Sequence, residues 1–200
     1  MRARMAIAAA DQRVELREVV LRDKPALMLE VSSKATVPVL VLPDGVVVDE
    51  SLDVMLWALR INDPLRWLGP ESGDIQGMIE LVTDCDGEFK YHLDRYKYAN
   101  RYDGAVAVEH RDAALVFLAR LEKCLANGPY LFGQRPSLSD YAIMPFIRQF
   151  ANTDRTWFDQ APYPGLQAWL GELLVSETFT GVMKKYPQWQ VGQNQVLFPS

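Results

Sequence analysis

The sequence contains few of the residues that metal and thiol centres commonly use. Among its 200 residues there are only two cysteines and two histidines. Neither Cys85 nor Cys124 belongs to a CxxC pair, and His92 and His110 stand outside the HxxxH and HExxH spacings that place zinc ligands on one helix. We therefore expect no metal site, and two buried thiols rather than a disulfide.

Long apolar runs and basic clusters are also lacking. No stretch approaches the ~20 apolar residues that span a bilayer, and the N-terminal MRARMAIAAADQ becomes polar too early for a signal peptide. The net charge of -5 comes without a Lys/Arg-rich block, so the attraction that dominates nucleic-acid binding is missing. Glycine-rich phosphate loops and the GxSxG elbow are absent as well. These absences predict a cytoplasmic globular protein that binds neither membranes nor nucleic acid.

What the first 61 residues do contain is the pattern of a small α/β unit. Residues 1–10 are rich in helix formers, residues 14–21 suit a strand, and Pro25 suits the start of a short helix. Two β-branched runs flank the turn signal at 43–45, which predicts a β-hairpin. A helix with one apolar face follows, marked by Leu52, Met55, Leu56 and Leu59.

The remainder of the chain is helical in pattern. Breakers in residues 62–73 predict a linker. Beyond it, apolar residues recur at helical spacing in five segments, which are 75–93, 113–125, 141–150, 165–175 and 178–186. The expected architecture is therefore an α/β domain at 1–61 followed by an all-helical domain at 74–200.

Pro38 stands close to the start of an otherwise regular strand. Because proline cannot donate to a β-ladder, it marks either a plain edge or a special geometry such as a cis Val37–Pro38 bond. A cis bond would turn the N–H and C=O of Val37 outward, where an extended peptide can bind through its backbone.

Glu50 and Ser51 stand at the start of the helix after the hairpin. Free N–H groups and the helix dipole favour an anion at such a position, and the Ser51 hydroxyl adds a donor. Since the Glu50 carboxylate accepts from an ammonium group, the pair suits an α-amino-acid zwitterion. The alternative is ordinary N-capping by Ser51 with Glu50 exposed. Lys34 either meets a second carboxylate or lies exposed.

These positions carry a resemblance to a known family. KATVPVL at residues 34–40, followed by Asp49-Glu50-Ser51, resembles the glutathione-site signature of the glutathione S-transferase family. In that family the valine–proline peptide is cis and binds the cysteinyl backbone, and the acidic–serine pair binds the γ-glutamyl end. The resemblance implies a thioredoxin-like N-terminal domain that binds glutathione as co-substrate through Val37, Pro38, Glu50 and Ser51, with Lys34 at the opposite end of the tripeptide.

A second motif lies at residues 133–141. Ser137 and Asp140 have the spacing of a capping box, the loss of which typically costs about 0.5–2 kcal/mol per residue. This box is similar to the one that starts the buried helix of the family's C-terminal helical bundle, and residues 163–169 resemble a later helix of it. The resemblance leans toward the bacterial omega-like, glutaredoxin-related branch and implies a homodimer.

The sequence departs from the family at its beginning. Family members start with a β-strand and a loop that bears a catalytic Tyr, Ser or Cys before the first helix. This sequence begins inside that helix, so we expect the first β-strand of the thioredoxin-like domain to be missing and assign no catalytic residue. An internal start within a longer protein and a naturally shortened protein are both consistent with this pattern.

The function implied by the resemblance is conjugation of glutathione to small electrophiles, as in detoxification, or reduction of mixed disulfides. The alternative is a non-enzymatic binding or interaction protein of the same fold. Tyr91 and Tyr98, in the aromatic and charged stretch 89–98, are candidates for lining an electrophile pocket. Aromatic packing between helices is the other interpretation of that stretch.

Overall fold

The computed structural model describes residues 1–199, which divide into two compact units. The first unit comprises residues 1–65 together with 177–199, and the second comprises residues 66–176. The division after residue 65 falls inside the stretch that the sequence predicts as a linker. None of the helices in residues 1–199 is long and apolar enough to cross a bilayer.

Within its described residues, the first unit has short helices and two separate two-stranded antiparallel sheets. Helices α1 and α3 pack on each other through small and flexible apolar side chains, among them Met5, Ala6, Met55 and Ala58. The elements of this unit are α1 (Arg2–Ala9), β1 (Val14–Glu15), α2 (Ala26–Val31), β2 (Leu40–Val41), β3 (Val47–Val48), α3 (Ser51–Ile61), α10 (Glu177–Gly181) and β4 (Leu197–Phe198).

The predicted hairpin is confirmed. Strand β2 pairs with β3 in the register Leu40 to Val48 and Val41 to Val47. Gly45 takes a positive φ of 86°, which glycine adopts without steric cost, and the Val46 N–H donates to the Asp44 carboxylate over 3.1 Å. The turn chemistry of residues 43–45 thus fixes the strand that leads into α3.

The C-terminal segment differs from the expected helical domain at 74–200. Residues 177–199 belong to the first unit, and β4 pairs with β1 in the register Val14 to Phe198. The Leu16 N–H donates to the Val196 carbonyl over 2.7 Å, and Phe198 is only 3% exposed. A three-residue apolar run carries no helical or strand periodicity by itself, so its partner far away in sequence was not predictable.

The second unit is helical throughout its described elements, and α7 is its most buried helix. All eight residues from Leu138 to Pro145 are buried, including the polar Ser139 and Asp140. Trp67 stacks on Tyr141 with ring centroids 4.2 Å apart. The elements are α4 (Ile75–Asp84), a π-helical turn (Cys85–Phe89), α5 (Lys90–Lys97), a 3-10 turn (Ala99–Arg101), α6 (Ala107–Leu125), α7 (Leu138–Ala151), α8 (Arg155–Gln160) and α9 (Pro164–Val175).

Candidate functional site

The N-terminal end of α3 carries two of the predicted site residues, Glu50 and Ser51. Glu50 is the N-cap residue, with extended φ and ψ of −105° and 137°, and within the described chain no side chain caps the first turn. Ser51 is therefore the first helical residue rather than the cap, which differs from the capping alternative, whereas Glu50 is exposed as that alternative expects. Uncapped N–H groups at a helix start have neither an intrahelical nor a side-chain partner and favour an anion.

Arg2 brings a positive charge to this helix end. Its side chain is buried, with the residue 5% exposed, and its Nη1 donates to the Ser51 Oγ over 3.3 Å. The sequence-based prediction did not include Arg2. The sequence spacing could have indicated it, because Arg2, Met5 and Ala6 fall at i, i+3 and i+4 on one face of α1. A guanidinium on a buried helix face needs a polar partner.

Lys34 forms an ion-pair network with the acids that precede α3. Its Nζ lies 2.7 Å from Glu50 Oε1 and 3.1 Å from Asp49 Oδ1, and these two carboxylates raise the pKa of Lys34. The Ser32 hydroxyl donates to Asp49 over 2.8 Å, and this bond, followed by that of Lys34, lowers the pKa of Asp49.

This network differs from the expected arrangement, which placed Lys34 and Glu50 at opposite ends of the ligand. A tight turn explains the difference. Ala35 has a left-handed φ of 53° and its N–H donates to the Ser32 carbonyl over 3.2 Å, which directs the long lysine side chain toward residues 49–50. The Glu50 carboxylate, which the sequence predicts to bind the ammonium group of a ligand, is therefore paired with the ammonium group of Lys34.

The Val37–Pro38 bond is cis, which decides between the two alternatives left by the sequence. Val37 is 49% exposed. Within residues 1–199, neither its N–H nor its C=O makes a hydrogen bond. The backbone of Val37 thus offers one donor and one acceptor to an added extended peptide.

Tyr91 and Tyr98 lie in the second unit and do not contact each other's rings in the described structure. Tyr91 is half-exposed, and the Arg95 guanidinium lies over its ring at 3.5 Å. Tyr98 ends α5, with Arg101 over its ring at 4.2 Å. Each phenol is therefore flanked by cations, and the role of the two residues in an electrophile pocket stays a prediction.

Neither cysteine forms a disulfide, and the two differ in burial. Cys85 is buried as expected, whereas Cys124 is only half-buried, which corrects the expectation of two buried thiols. Burial nevertheless raises the pKa of Cys124, which favours the unreactive thiol. Within residues 1–199, no group of three or more His, Cys, Asp or Glu residues has the geometry to hold a metal ion.

The predicted capping box is present at the start of α7. Asp140 is fully buried, and its carboxylate accepts from the Ser137 N–H over 2.8 Å and the Ser137 hydroxyl over 2.7 Å. It also accepts from the Leu131 N–H over 3.0 Å and from Trp169 Nε1 over 2.8 Å. Burial raises the pKa of Asp140, and the four donors oppose that effect. This carboxylate holds a loop and two helices together and has no oxygen left for a ligand.

The fold defines a class: a small α/β unit combined with an all-helical unit. Residues 1–66 match the glutathione S-transferase N-terminal domain, and residues 94–172 match the glutathione S-transferase C-terminal domain. The chain belongs to the glutathione S-transferase family. Its first unit is accordingly a thioredoxin-like domain with few strands, and its second is the all-helical domain, which confirms the predicted fold class.

Solved structures give the same result for the fold. The chain is similar to BphK, a bacterial glutathione S-transferase solved as a ternary complex, with a TM-score of 0.74, 22% identity and 90% of each chain covered. It is also similar to URE2P6 from Phanerochaete chrysosporium in complex with oxidized glutathione, with a TM-score of 0.76, 14% identity and 90% of this chain and 87% of that chain covered.

A Pseudomonas fluorescens family member with two glutathione molecules bound has a TM-score of 0.74 and 16% identity, with 90% of this chain and 85% of that chain covered. At these identities the similarity establishes the fold alone. No curated protein matches the chain significantly.

Proposed function

We propose that this chain binds glutathione at the open end of α3 and uses it to conjugate small electrophiles or to reduce mixed disulfides. The observation that carries the proposal is the buried Arg2 guanidinium beside Ser51 at an uncapped helix start. A positive charge, a hydroxyl and free N–H groups at one point suit the α-carboxylate of the γ-glutamyl residue.

The other parts of the tripeptide find partners in the same unit. The γ-glutamyl ammonium group takes the place of Lys34 on Glu50, and the extended backbone pairs with the N–H and C=O of Val37 next to Pro38. Lys34, once displaced, meets the glycine carboxylate. Two of the similar structures contain glutathione or its oxidized form, which supports the choice of ligand.

The finer features of the proposal follow the family. We place the protein in the omega-like branch, in the cytoplasm and as a homodimer, with Tyr91 and Tyr98 lining the electrophile pocket. The group that activates the glutathione thiol is not assigned. A second candidate function is binding without turnover. It is favoured because the residues described above at the α3 site include no cysteine or tyrosine that could activate the glutathione thiol.

Calorimetric titration with glutathione tests the binding step. Loss of a charged hydrogen bond typically costs about 1.5–3 kcal/mol, so Glu50→Ala should weaken binding roughly 10- to 150-fold. Glu30→Ala is the matched control, because Glu30 is an exposed carboxylate on α2 of the same unit. An unchanged affinity in Glu50→Ala would remove Glu50 from the site.

Activity assays separate the two functions. The enzymatic function is supported if the unmodified protein turns over a generic electrophile or a mixed disulfide and if Glu50→Ala loses this turnover together with binding. Binding of glutathione without either turnover supports the second candidate.

A further inference from the structure

The only two histidines of the chain meet across two helices. His92 on α5 and His110 on α6 are 18 residues apart, and their Nδ1 atoms are 2.8 Å from each other. The ring centroids are 5.1 Å apart. This distance is longer than the N–N distance by about two ring radii, which is the value expected when each Nδ1 lies on the line between the two centroids. The two nitrogens therefore point directly at each other. This is the geometry of a hydrogen bond between two imidazoles.

Such a bond requires one donor and one acceptor. One Nδ1 carries a hydrogen and the other presents its lone pair, so a single proton bridges the two rings. A first extra proton is accommodated on the outer nitrogen of the donor ring. A second extra proton has to enter the acceptor Nδ1, and two N–H groups then face each other at hydrogen-bond distance, so that the rings must separate.

The surroundings resist protonation of His92. The pKa of His92 is lowered chiefly by burial, then by the charge of His110 and of Arg95 on the same helix, whereas Glu88 in the π-helical turn opposes the effect. Tyr91 packs edge-on against both imidazoles, with centroids 5.1 Å from His92 and 5.9 Å from His110.

The other charged groups near the pair are already engaged or lie on neighbouring elements. On α6, Glu109 and Arg111 flank His110 in sequence, and Arg111 donates to Asp112 over 2.8 Å. On α5, Lys90 pairs with Asp94 over 2.7 Å. Helix α7, which also packs on α5, carries Arg148 and the fully engaged Asp140.

We propose that His92 and His110 form a proton-sensitive clamp between α5 and α6, closed while one proton bridges their Nδ1 atoms and open once each Nδ1 carries its own. Opening removes the support of the Tyr91 ring, and with it the stack of Arg95 on that ring. The clamp involves only residues of the second unit and none of the residues proposed to contact glutathione.

The direction of the pH effect follows from linkage. Because the pKa of His92 is lower in the folded protein, the unfolded chain binds more protons below the ordinary histidine value of about 6.5. The clamp therefore contributes stability above that pH. Its contribution to stability is lost as the pH falls from about 6.5 through the lowered pKa of His92 in the folded state.

NMR titration of the imidazole carbons between pH 8 and pH 4.5 tests the clamp in the unmodified protein. We expect the two imidazoles to titrate as a coupled pair rather than independently. His92→Phe, which keeps a ring for Tyr91 but removes the nitrogens, should abolish this coupling. Independent titration of the two imidazoles in the unmodified protein would overturn the proposal.

Urea unfolding gives a second readout. The unfolding equilibrium constant of the unmodified protein should rise severalfold more between pH 7.5 and pH 5 than that of His92→Phe, because the unfolded chain binds more protons than the folded chain in that range. His110→Phe should show the same reduced pH dependence, because either substitution removes the same bond. Equal pH dependence in all three proteins would contradict the clamp, and the titration of the unmodified protein decides the matter if a variant does not fold.

Discussion

Helices α3 and α7 both begin beside a serine and an acid, yet one start is open and the other is closed. At α7 the acid is Asp140, which is fully buried and accepts four hydrogen bonds. At α3 the acid is Glu50, whose side chain is 60% exposed and pairs with Lys34. Two similar local compositions thus produce a structural site in one unit and a candidate binding site in the other.

The spacing of the acid explains the difference. Asp140 lies three residues after the cap residue Ser137, where its carboxylate reaches back to the N–H of the cap. Glu50 is itself the cap residue of α3 and makes no cap bond. Within residues 1–199, the N–H groups at the α3 start have no side-chain acceptor, whereas the acid at the α7 start is fully engaged in hydrogen bonds within the fold.

The largest expected effect is that of Asp140→Ala on stability. The substitution leaves buried donors without an acceptor, including the Leu131 N–H and Trp169 Nε1, and each such group costs about 1–3 kcal/mol. We expect the free energy of unfolding to fall by about 3–5 kcal/mol in urea titrations, with glutathione affinity retained in the folded fraction.

Ser137→Ala is the comparison variant. It removes one hydroxyl from the same box and should cost about 0.5–2 kcal/mol. If Asp140→Ala costs no more than this, the carboxylate acts as a simple cap and the closed site is not a junction of the fold.

The contacts of the Asp140 carboxylate show which interactions can be predicted from the sequence and which cannot. The capping box was predictable because Ser137 and Asp140 are three residues apart and the motif is local. The hydrogen bond from Trp169, which is 29 residues from Asp140 in sequence, was not predictable. Neither was the hydrogen bond between Arg2 and Ser51, which are 49 residues apart. An expected cost of 0.5–2 kcal/mol per residue therefore underestimates Asp140.

Other parts of the molecule follow the same rule. The helices, the hairpin and the order of elements in the first 61 residues rest on periodicity and turn residues, and they were predicted. Strand β4 and the pairing of His92 with His110 depend on tertiary packing between distant segments, which periodicity does not report. For the candidate site, the sequence predicted Glu50 and Ser51 but not the guanidinium beside them.

A smaller effect is expected for Ser51→Ala. The substitution removes one neutral hydroxyl from the α3 start, so glutathione affinity should fall by roughly 2- to 12-fold in calorimetry. Ser51 is not the cap, but its Oγ accepts the long hydrogen bond from the buried Arg2, so the free energy of unfolding should fall by about 1–2 kcal/mol, less than in Asp140→Ala. Ser33→Ala, at an exposed serine of the same unit, is the control. A large loss of stability with unchanged affinity would make α3 a second structural helix start.

The smallest effect is expected for Lys34→Met, and it shows which end of the ligand Lys34 serves. In the free protein Lys34 pairs with Glu50, so the ligand ammonium must displace it before Lys34 can meet the glycine carboxylate. An exposed ion pair is weak, so affinity for glutathione should fall only about two- to fivefold, and the difference should vanish at high salt. Glutathione whose glycine carboxylate is esterified should bind the variant as well as the unmodified protein, or better, since a competitor for Glu50 is gone. Lys185→Met, an exposed lysine of the same unit, controls for net charge. Equal changes in affinity for glutathione and its ester would place Lys34 at the Glu50 end alone, and the proposed site would then lack the cation assigned to its far end.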